Sequence, residues 1–177
     1  MAEIKSTLDL VLERTKHLSL SSEEKQAQTQ KDIESRLNGM LQKYQDGLFS
    51  LEQLRQDYQE LKTEFKLPDN TTLAGQVIHR LDPGVDNHAL FDVLEYCCGL
   101  DYSGLADVIN EYQAGYHAAA QRRMESLKAG LAQKYSISGS AVVPNLEQDE
   151  KWHLEAKALA SAAEQKINRE KFRLIGS

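Results

Sequence analysis

The sequence predicts an all-α protein: a helical bundle with an N-terminal antiparallel, coiled-coil-like helical hairpin. Two adjacent stretches carry apolar residues at steps of three and four, the spacing of a narrow helical seam. A short break at 47–50 separates them, and no stretch alternates apolar and polar residues as a half-buried strand would. With only three prolines and ten glycines in 177 residues, a few long helices are favoured. The two seams consist of Ile33, Leu37, Met40 and Tyr44, and then of Leu51, Leu54, Tyr58, Leu61 and Phe65.

The first two predicted helices differ in their apolar content. Residues 3–17 are predicted to form a helix with one apolar face, made of Ile4, Leu8, Val11 and Leu12, with Leu18 as a further candidate. Ser21 and Glu24 then form a capping box, in which each side chain satisfies a free backbone N–H at the start of the second helix. This helix is expected to run to about residue 46. Its first part, residues 23–30, has Ala27 as its only apolar residue, so we expect it to stay in solvent or to meet a partner.

The hairpin turn is predicted from its glycine and from a second capping box. Gly47 is expected to end the second helix in the left-handed conformation, and Ser50 with Gln53 to start the third. The third helix should end at Lys66, because Leu67 precedes a proline. Residues 1–66 are therefore interpreted as one domain and residues 67–177 as a second, with a single continuous domain as the alternative.

Four further helices are predicted in residues 67–177. A short helix at about 72–81 is expected to be capped by Thr71 or Thr72, and Asn87 is expected to cap a strongly apolar helix that ends at Gly99. A long helix at 103–135 and a last helix at 146–171, capped by Asn145, both contain runs of alanine. Small side chains let two helix backbones approach each other closely, so we expect the two long helices to pair.

The formal charge of −6 is unevenly distributed. Residues 69–113 contain eight acidic residues and a single arginine, whereas residues 114–177 carry a net charge of +3. An acidic protein is a poor candidate for nucleic-acid binding, which needs clustered bases that face phosphates. The basic patch of Lys166, Arg169, Lys171 and Arg173 is expected to form a solvated face or to dock on the acidic middle of the chain. No nucleic-acid partner is predicted.

One cluster of polar residues could bind a metal ion. His79, Asp82, Asp86 and His88 surround a Pro-Gly turn, and carboxylates and imidazoles both donate lone pairs to divalent cations. A helical metal-binding protein or metal-dependent enzyme that uses residues 79–95 is thus the alternative function. The spacing matches neither H-E-x-x-H nor the EF-hand. We favour a structural interpretation, in which the carboxylates cap a turn and a helix and His79 lies at the negative end of a helix dipole.

No motif predicts catalysis or a cofactor. Cys97 and Cys98 are adjacent and lie in an acidic segment, which would raise the pKa of a thiol and make it a poor nucleophile. There is no G-x-S-x-G elbow and no glycine-rich phosphate loop. No catalytic, cofactor-binding or metal-binding residue is therefore assigned.

The tip of the predicted hairpin is the candidate partner-binding site. Leu48 and Phe49 would be exposed at the end of a free-standing hairpin, and exposed apolar residues often contact another protein. Alternatively, Phe49 could pack on Leu54 as a hydrophobic staple at the start of the third helix. Both interpretations stay open.

Taken together, these patterns favour a non-enzymatic protein–protein interaction module, such as a scaffold, an adaptor or a chaperone-like protein. Self-association through the helices of residues 1–66 and recruitment of a basic partner by residues 69–113 are two forms that this function could take. The N-terminal residues lack an apolar targeting segment, and no apolar run is long enough to span a membrane. We therefore expect a cytoplasmic protein.

Overall fold

The computed structural model describes residues 21–176, so the helix predicted at 3–17 lies outside the described residues. Within this range the chain is all-helical, as predicted, and contains six α-helices and no strand. The helices are α1 (Ser22–Gln45), α2 (Leu51–Phe65), α3 (Thr71–His79), α4 (His88–Tyr96), α5 (Ser103–Tyr135) and α6 (Glu150–Ile175), with a 3₁₀ turn at Leu146–Gln148 before α6.

Both predicted capping boxes are present. The Glu24 backbone N–H donates to the Ser21 hydroxyl over 3.1 Å, and the Ser21 N–H donates to the Glu24 carboxylate over 2.7 Å. Ser50 and Gln53 make the same reciprocal pair at the start of α2. These bonds satisfy N–H groups that have no partner inside the helix, so they determine where each helix begins.

The turn between α1 and α2 follows from Gly47, which adopts the predicted left-handed conformation with a φ of 72°. The Leu48 N–H donates to the Lys43 carbonyl over 2.8 Å, and the Gly47 N–H donates to the Tyr44 carbonyl over 3.0 Å. This Schellman arrangement satisfies the last carbonyls of α1 and reverses the chain into α2.

Five of the nine predicted seam residues of α1 and α2 are buried, whereas Met40, Tyr44, Leu51 and Phe65 are half-buried. Ile33, Leu37, Leu54, Tyr58 and Leu61 are buried as the spacing predicts. Leu41, which the narrow seam does not include, is also fully buried, because α1 packs on α3 as well as on α2. A helix that meets two neighbours buries a wider stripe than a coiled-coil seam.

The starts and ends of three helices differ from the predictions. α3 follows Asn70 instead of a capping threonine, and α4 ends at Tyr96, before Gly99. The last helix does not begin at 146: Asn145 caps the 3₁₀ turn, and α6 begins at Glu150 with Asp149 as its cap. The Asp149 carboxylate accepts a 2.7 Å hydrogen bond from the Trp152 N–H, which fixes this later start.

One cluster of buried apolar residues forms the core. It draws on α1 to α4, on the first part of α5 through Leu105 and Ile109, and on the end of α6 through Ile167. It contains residues from both sides of position 66, and the division into two domains there stays a prediction. Beyond this core α5 and α6 pack on each other, as predicted from their alanines, and bury Ala119, Trp152 and Ala163.

The two capping boxes support a first test. Ser50→Ala should lower the free energy of unfolding by about 1 kcal/mol, because α2 is part of the packed core. Ser21→Ala removes the same bonds, but every residue from 21 to 32 is exposed, so this loss should only fray the start of α1. Urea unfolding followed by circular dichroism measures the first effect, and amide exchange at residues 22–26 the second. Equal losses of global stability would contradict this assignment.

Candidate functional site

A groove of about 570 Å³ lies between the end of α3 and one face of α6. Its volume falls within the range of ligand-binding clefts in proteins. On the α6 side it is lined by residues spaced three and four apart, which places them on one face of the helix: Lys157, Ala160, Ser161, Glu164, Ile167, Asn168 and Lys171. The distance along the helix from Lys157 to Lys171 is about 21 Å, at 1.5 Å per residue.

The floor of the groove is apolar and its rim is charged. Ile78 and Ile167 are buried beneath it, and Tyr112 of α5 is half-buried there. Lys157 and Glu164 are exposed on the α6 side. This combination of an apolar base and a rim of both charges is typical of a surface that holds an amphipathic ligand.

The opposite wall, residues 78–83, is held in place by a buried amide. Asn87 is only 4% exposed, and its Oδ1 accepts a 3.1 Å hydrogen bond from the Asp82 backbone N–H. Its Nδ2 donates to the carbonyls of Asp82 and Val85 over 2.7 and 2.9 Å. Asn87 occupies the N-cap position of α4, as predicted, but its side chain makes no capping bond and closes the preceding turn instead.

Two further side chains fix this wall to the neighbouring helices. The Arg80 guanidinium donates to the Gln45 side chain over 2.7 Å and to the Asn38 carbonyl over 3.0 Å, which holds the end of α3 against α1. Gln113 of α5 donates to the Pro83 carbonyl over 3.2 Å. The wall is therefore held by side chains that do not line the groove.

A second recess of about 320 Å³ continues the groove toward the start of α1. The two share His79 and Lys171, and the recess is also lined by Gln30 of α1, by Gly75 of α3 and by Ile175 at the end of α6. The concave surface therefore follows α6 to its last turn.

The four candidate metal ligands lie in different surroundings and make different contacts. His79 and Asp82 line the groove. The Asp82 carboxylate accepts a 2.8 Å hydrogen bond from the Gly84 N–H, and the Asp86 carboxylate accepts one of 2.9 Å from the His88 N–H. In residues 21–176 no three histidine, cysteine, aspartate or glutamate side chains come together as a metal site would require. The structural interpretation accounts for these contacts, and the metal site stays a prediction.

The adjacent cysteines lie at the end of α4. Burial raises the pKa of Cys97 to about 11 and that of Cys98 to about 12. The raised thiol pKa agrees with the predicted direction, but its main physical cause is removal of the thiols from water and not the charge of the acidic segment. Both thiols are therefore protonated near neutral pH and are unsuited to nucleophilic attack.

The two residues of the hairpin tip differ in exposure. Leu48 is 71% exposed, whereas Phe49 is half-buried and has the Lys43 ammonium 4.9 Å from the centroid of its ring. An exposed leucine beside a partly covered aromatic ring offers only a small contact area.

The basic patch of α6 is partly paired with acidic residues. Lys166 lies 2.6 Å from Glu111 of α5, and Arg173 lies 2.7 Å from Glu170 on the same helix. Hydrogen bonds from Ser103, and to a lesser extent the charge of Arg173, lower the pKa of Asp101. The contact between Lys166 and Glu111 agrees with the expectation that this patch docks on the acidic middle of the chain.

Sequence reasoning missed the ion pair at the start of α6. Arg123 of α5 donates to both oxygens of Asp149, from Nε over 2.8 Å and from Nη2 over 2.6 Å. These hydrogen bonds are the main reason that the pKa of Asp149 is lowered. Asp149 is a good N-cap residue, but so is Asn145, and nothing local points to Arg123.

No family model matches the chain, and no curated protein and no solved structure shows significant similarity to it. None of the helices in residues 21–176 combines the length and the apolar character needed to cross a membrane.

The buried amide in the groove wall supports a second test. Asn87→Ala leaves the Asp82 backbone N–H without its partner and removes one of the two hydrogen bonds to each of the Asp82 and Val85 carbonyls, so the free energy of unfolding should fall by about 1–3 kcal/mol. Asn110→Ala is the matched control, because Asn110 is exposed on α5. Urea unfolding of both variants measures the difference. Equal stability of the two variants would show that the amide does not hold the turn.

The raised thiol pKa values support a third test. Both lie above the ordinary value of 9.0, so the unfolded chain loses these protons first and the free energy of unfolding should fall as the pH rises from about 9 to 12. Below pH 9 both thiols should react slowly with a disulfide reagent unless urea is added. Unfolding measured against pH, with Cys97→Ala combined with Cys98→Ala as control, checks the slope. Rapid labelling of the folded chain at pH 8 would contradict the burial.

Proposed function

We propose that this chain is a non-enzymatic protein–protein interaction module, and that the groove between α3 and α6 is its binding surface. The observation that carries the proposal is the continuous face that α6 presents to the groove over about four turns. A surface that follows one helix for this length suits a second helix laid beside it, which is a recurrent mode of peptide recognition.

The charges of the rim indicate the kind of partner. Lys157 and Lys171 lie at the two ends of the α6 face, with Glu164 between them and Asp82 across the groove. A rim with both signs favours an amphipathic helix that carries acids and bases beside its apolar stripe. It suits a polyanion less well, because the carboxylates would repel phosphates.

The contacts of the groove wall favour binding over catalysis. Its carboxylate, Asp82, is already bonded to a backbone N–H, and His79 lies on the exposed rim. A general acid or base needs a proton-transfer partner within hydrogen-bond reach, and binding needs only shape and complementary charge.

The hairpin offers a second, smaller contact. Coiled-coil packing of α1 on α2 would make the hairpin rigid. Leu48 lies at the tip of this hairpin with most of its surface in solvent. This finer description of the hairpin, with Leu48 and Phe49 as partner-binding residues, belongs to the same proposal and is independent of the groove.

A pair of charge substitutions on α6 tests the proposed surface. Ala160 is exposed and lines the groove, whereas Ala158 is exposed on another face of the same helix. Both positions tolerate a longer side chain without change to the core. We expect a protein that co-purifies from the native host with the wild-type chain and with Ala158→Glu to be lost with Ala160→Glu.

Quantitative mass spectrometry of the three preparations gives the result. Equal recovery of every partner by the two variants would exclude the groove as the binding surface. Recovery of no protein by any of the three would count against an interaction module. Circular dichroism confirms that both variants keep their helical content.

A further inference from the structure

We propose that the groove of one chain receives residues 3–17 of a second copy, so that two copies exchange their N-terminal segments and form a dimer. This inference rests on the proposed function, because it names the partner of the same groove. It depends on three features: the length of the groove, the pattern of residues 1–20 and the exposed start of α1.

The lengths of the segment and of the groove agree. A helix over residues 3–17, as the sequence predicts, and the α6 face from Lys157 to Lys171 both span 15 residues, so each is about 21 Å long. The predicted apolar face of the segment needs an apolar surface to cover it. Four residues make up this face: Ile4, Leu8, Val11 and Leu12.

The charges of the two surfaces are also compatible. Residues 3–17 carry three acidic residues and three basic ones beside the apolar face. The rim of the groove likewise carries both signs, with Lys157 and Lys171 on α6 and Asp82 across from them. A neutral, mixed-charge helix is the kind of ligand that such a rim accepts without net repulsion.

The start of α1 favours a second copy over the chain's own segment. A segment that turned back at residues 18–20 would place Leu8, Val11 and Leu12 beside residues 23–31 of α1. That stretch is exposed, has Ala27 as its only apolar residue and reaches the recess only through Gln30, so most of the apolar face would gain no cover there.

The same stretch of α1 is suited to span the solvent between two copies of the chain. Residues 22–32 are the capped first part of α1. This part is about 16 Å long, and every one of its residues is exposed. A helix that is polar on all sides commonly spans the solvent between two packed units. A span of this kind would let residues 1–20 reach the groove of a partner.

Sedimentation velocity of the full chain across a concentration series is the first measurement. We expect a monomer–dimer equilibrium. Leu8→Asp combined with Leu12→Asp should raise its dissociation constant at least about tenfold, because each aspartate would enter an apolar contact. Ser6→Asp combined with His17→Asp adds the same two carboxylates to the opposite face of the predicted helix and should leave the constant unchanged.

The groove is tested with the α6 variants in the same way. Ala160→Glu should weaken the dimer to a similar degree, and Ala158→Glu should not. Both positions are exposed, so neither change removes a core contact. A dimer that keeps its affinity in Ala160→Glu and in the Leu8/Leu12 variant would overturn the proposal.

Mixing two defective variants separates exchange from folding back. The Leu8/Leu12 variant keeps an intact groove, and Ala160→Glu keeps an intact segment, so one exchanged contact is restored when they are mixed. We expect the mixed pair, carrying different tags, to associate more tightly than either variant with itself. No association of the mixed pair beyond that of each variant alone would overturn the exchange.

The outcomes also separate this inference from the proposed function. A wild-type chain that is monomeric at every concentration would overturn the dimer. If a host protein is nevertheless lost only with Ala160→Glu, the groove still binds a partner and the proposed function stands. If neither the dimer nor the binding of a host protein is weakened by Ala160→Glu, both the exchanged dimer and the proposed function of the groove are excluded.

Discussion

Burial of α3 between α1 and α6 is the constraint on which the rest of the structure depends. This nine-residue helix buries Leu73, Ala74, Val77 and Ile78, and it packs on α1, α4 and α6. A helix this short is not stable by itself, so its neighbours must hold it. In turn, its end supplies one wall of the groove, and Arg80 ties that wall to α1. The hairpin, the core and the candidate site are thus connected through one short element.

The sequence predicted those features that depend on neighbours in the chain. Capping boxes at Ser21 and Ser50 and the left-handed Gly47 involve residues within a few positions of each other, and all three are present. The choice between Asn145 and Asp149 could not be made locally, since both are good caps. Arg123, which lies 26 residues from Asp149, binds this carboxylate, and only the folded chain brings the two together.

The groove escaped prediction for the same reason. Its walls come from residues 78–83 and 157–171, which are far apart in the sequence, and none of these side chains forms a motif. The cluster at 79–88 drew attention because its residue types suggest chemistry. Its carboxylates accept hydrogen bonds from the backbone of a turn and of a helix start, and the buried amide of Asn87 completes that turn. Polar residues near a Pro-Gly turn thus serve first to shape the wall.

The ion pair of Arg123 and Asp149 fixes the start of α6 and thereby determines which residues of α6 line the groove. α6 is one continuous helix, so a shift of one residue at its start would rotate every later side chain by about 100°. Ala160 and Ser161 would then leave the groove, and the lysines at its ends would move with them. Asp149 prevents this shift because it caps the helix and is held by Arg123 at the same time. The face that α6 presents to the groove is therefore set at Asp149, eight residues before Lys157, by a contact that lies outside the groove.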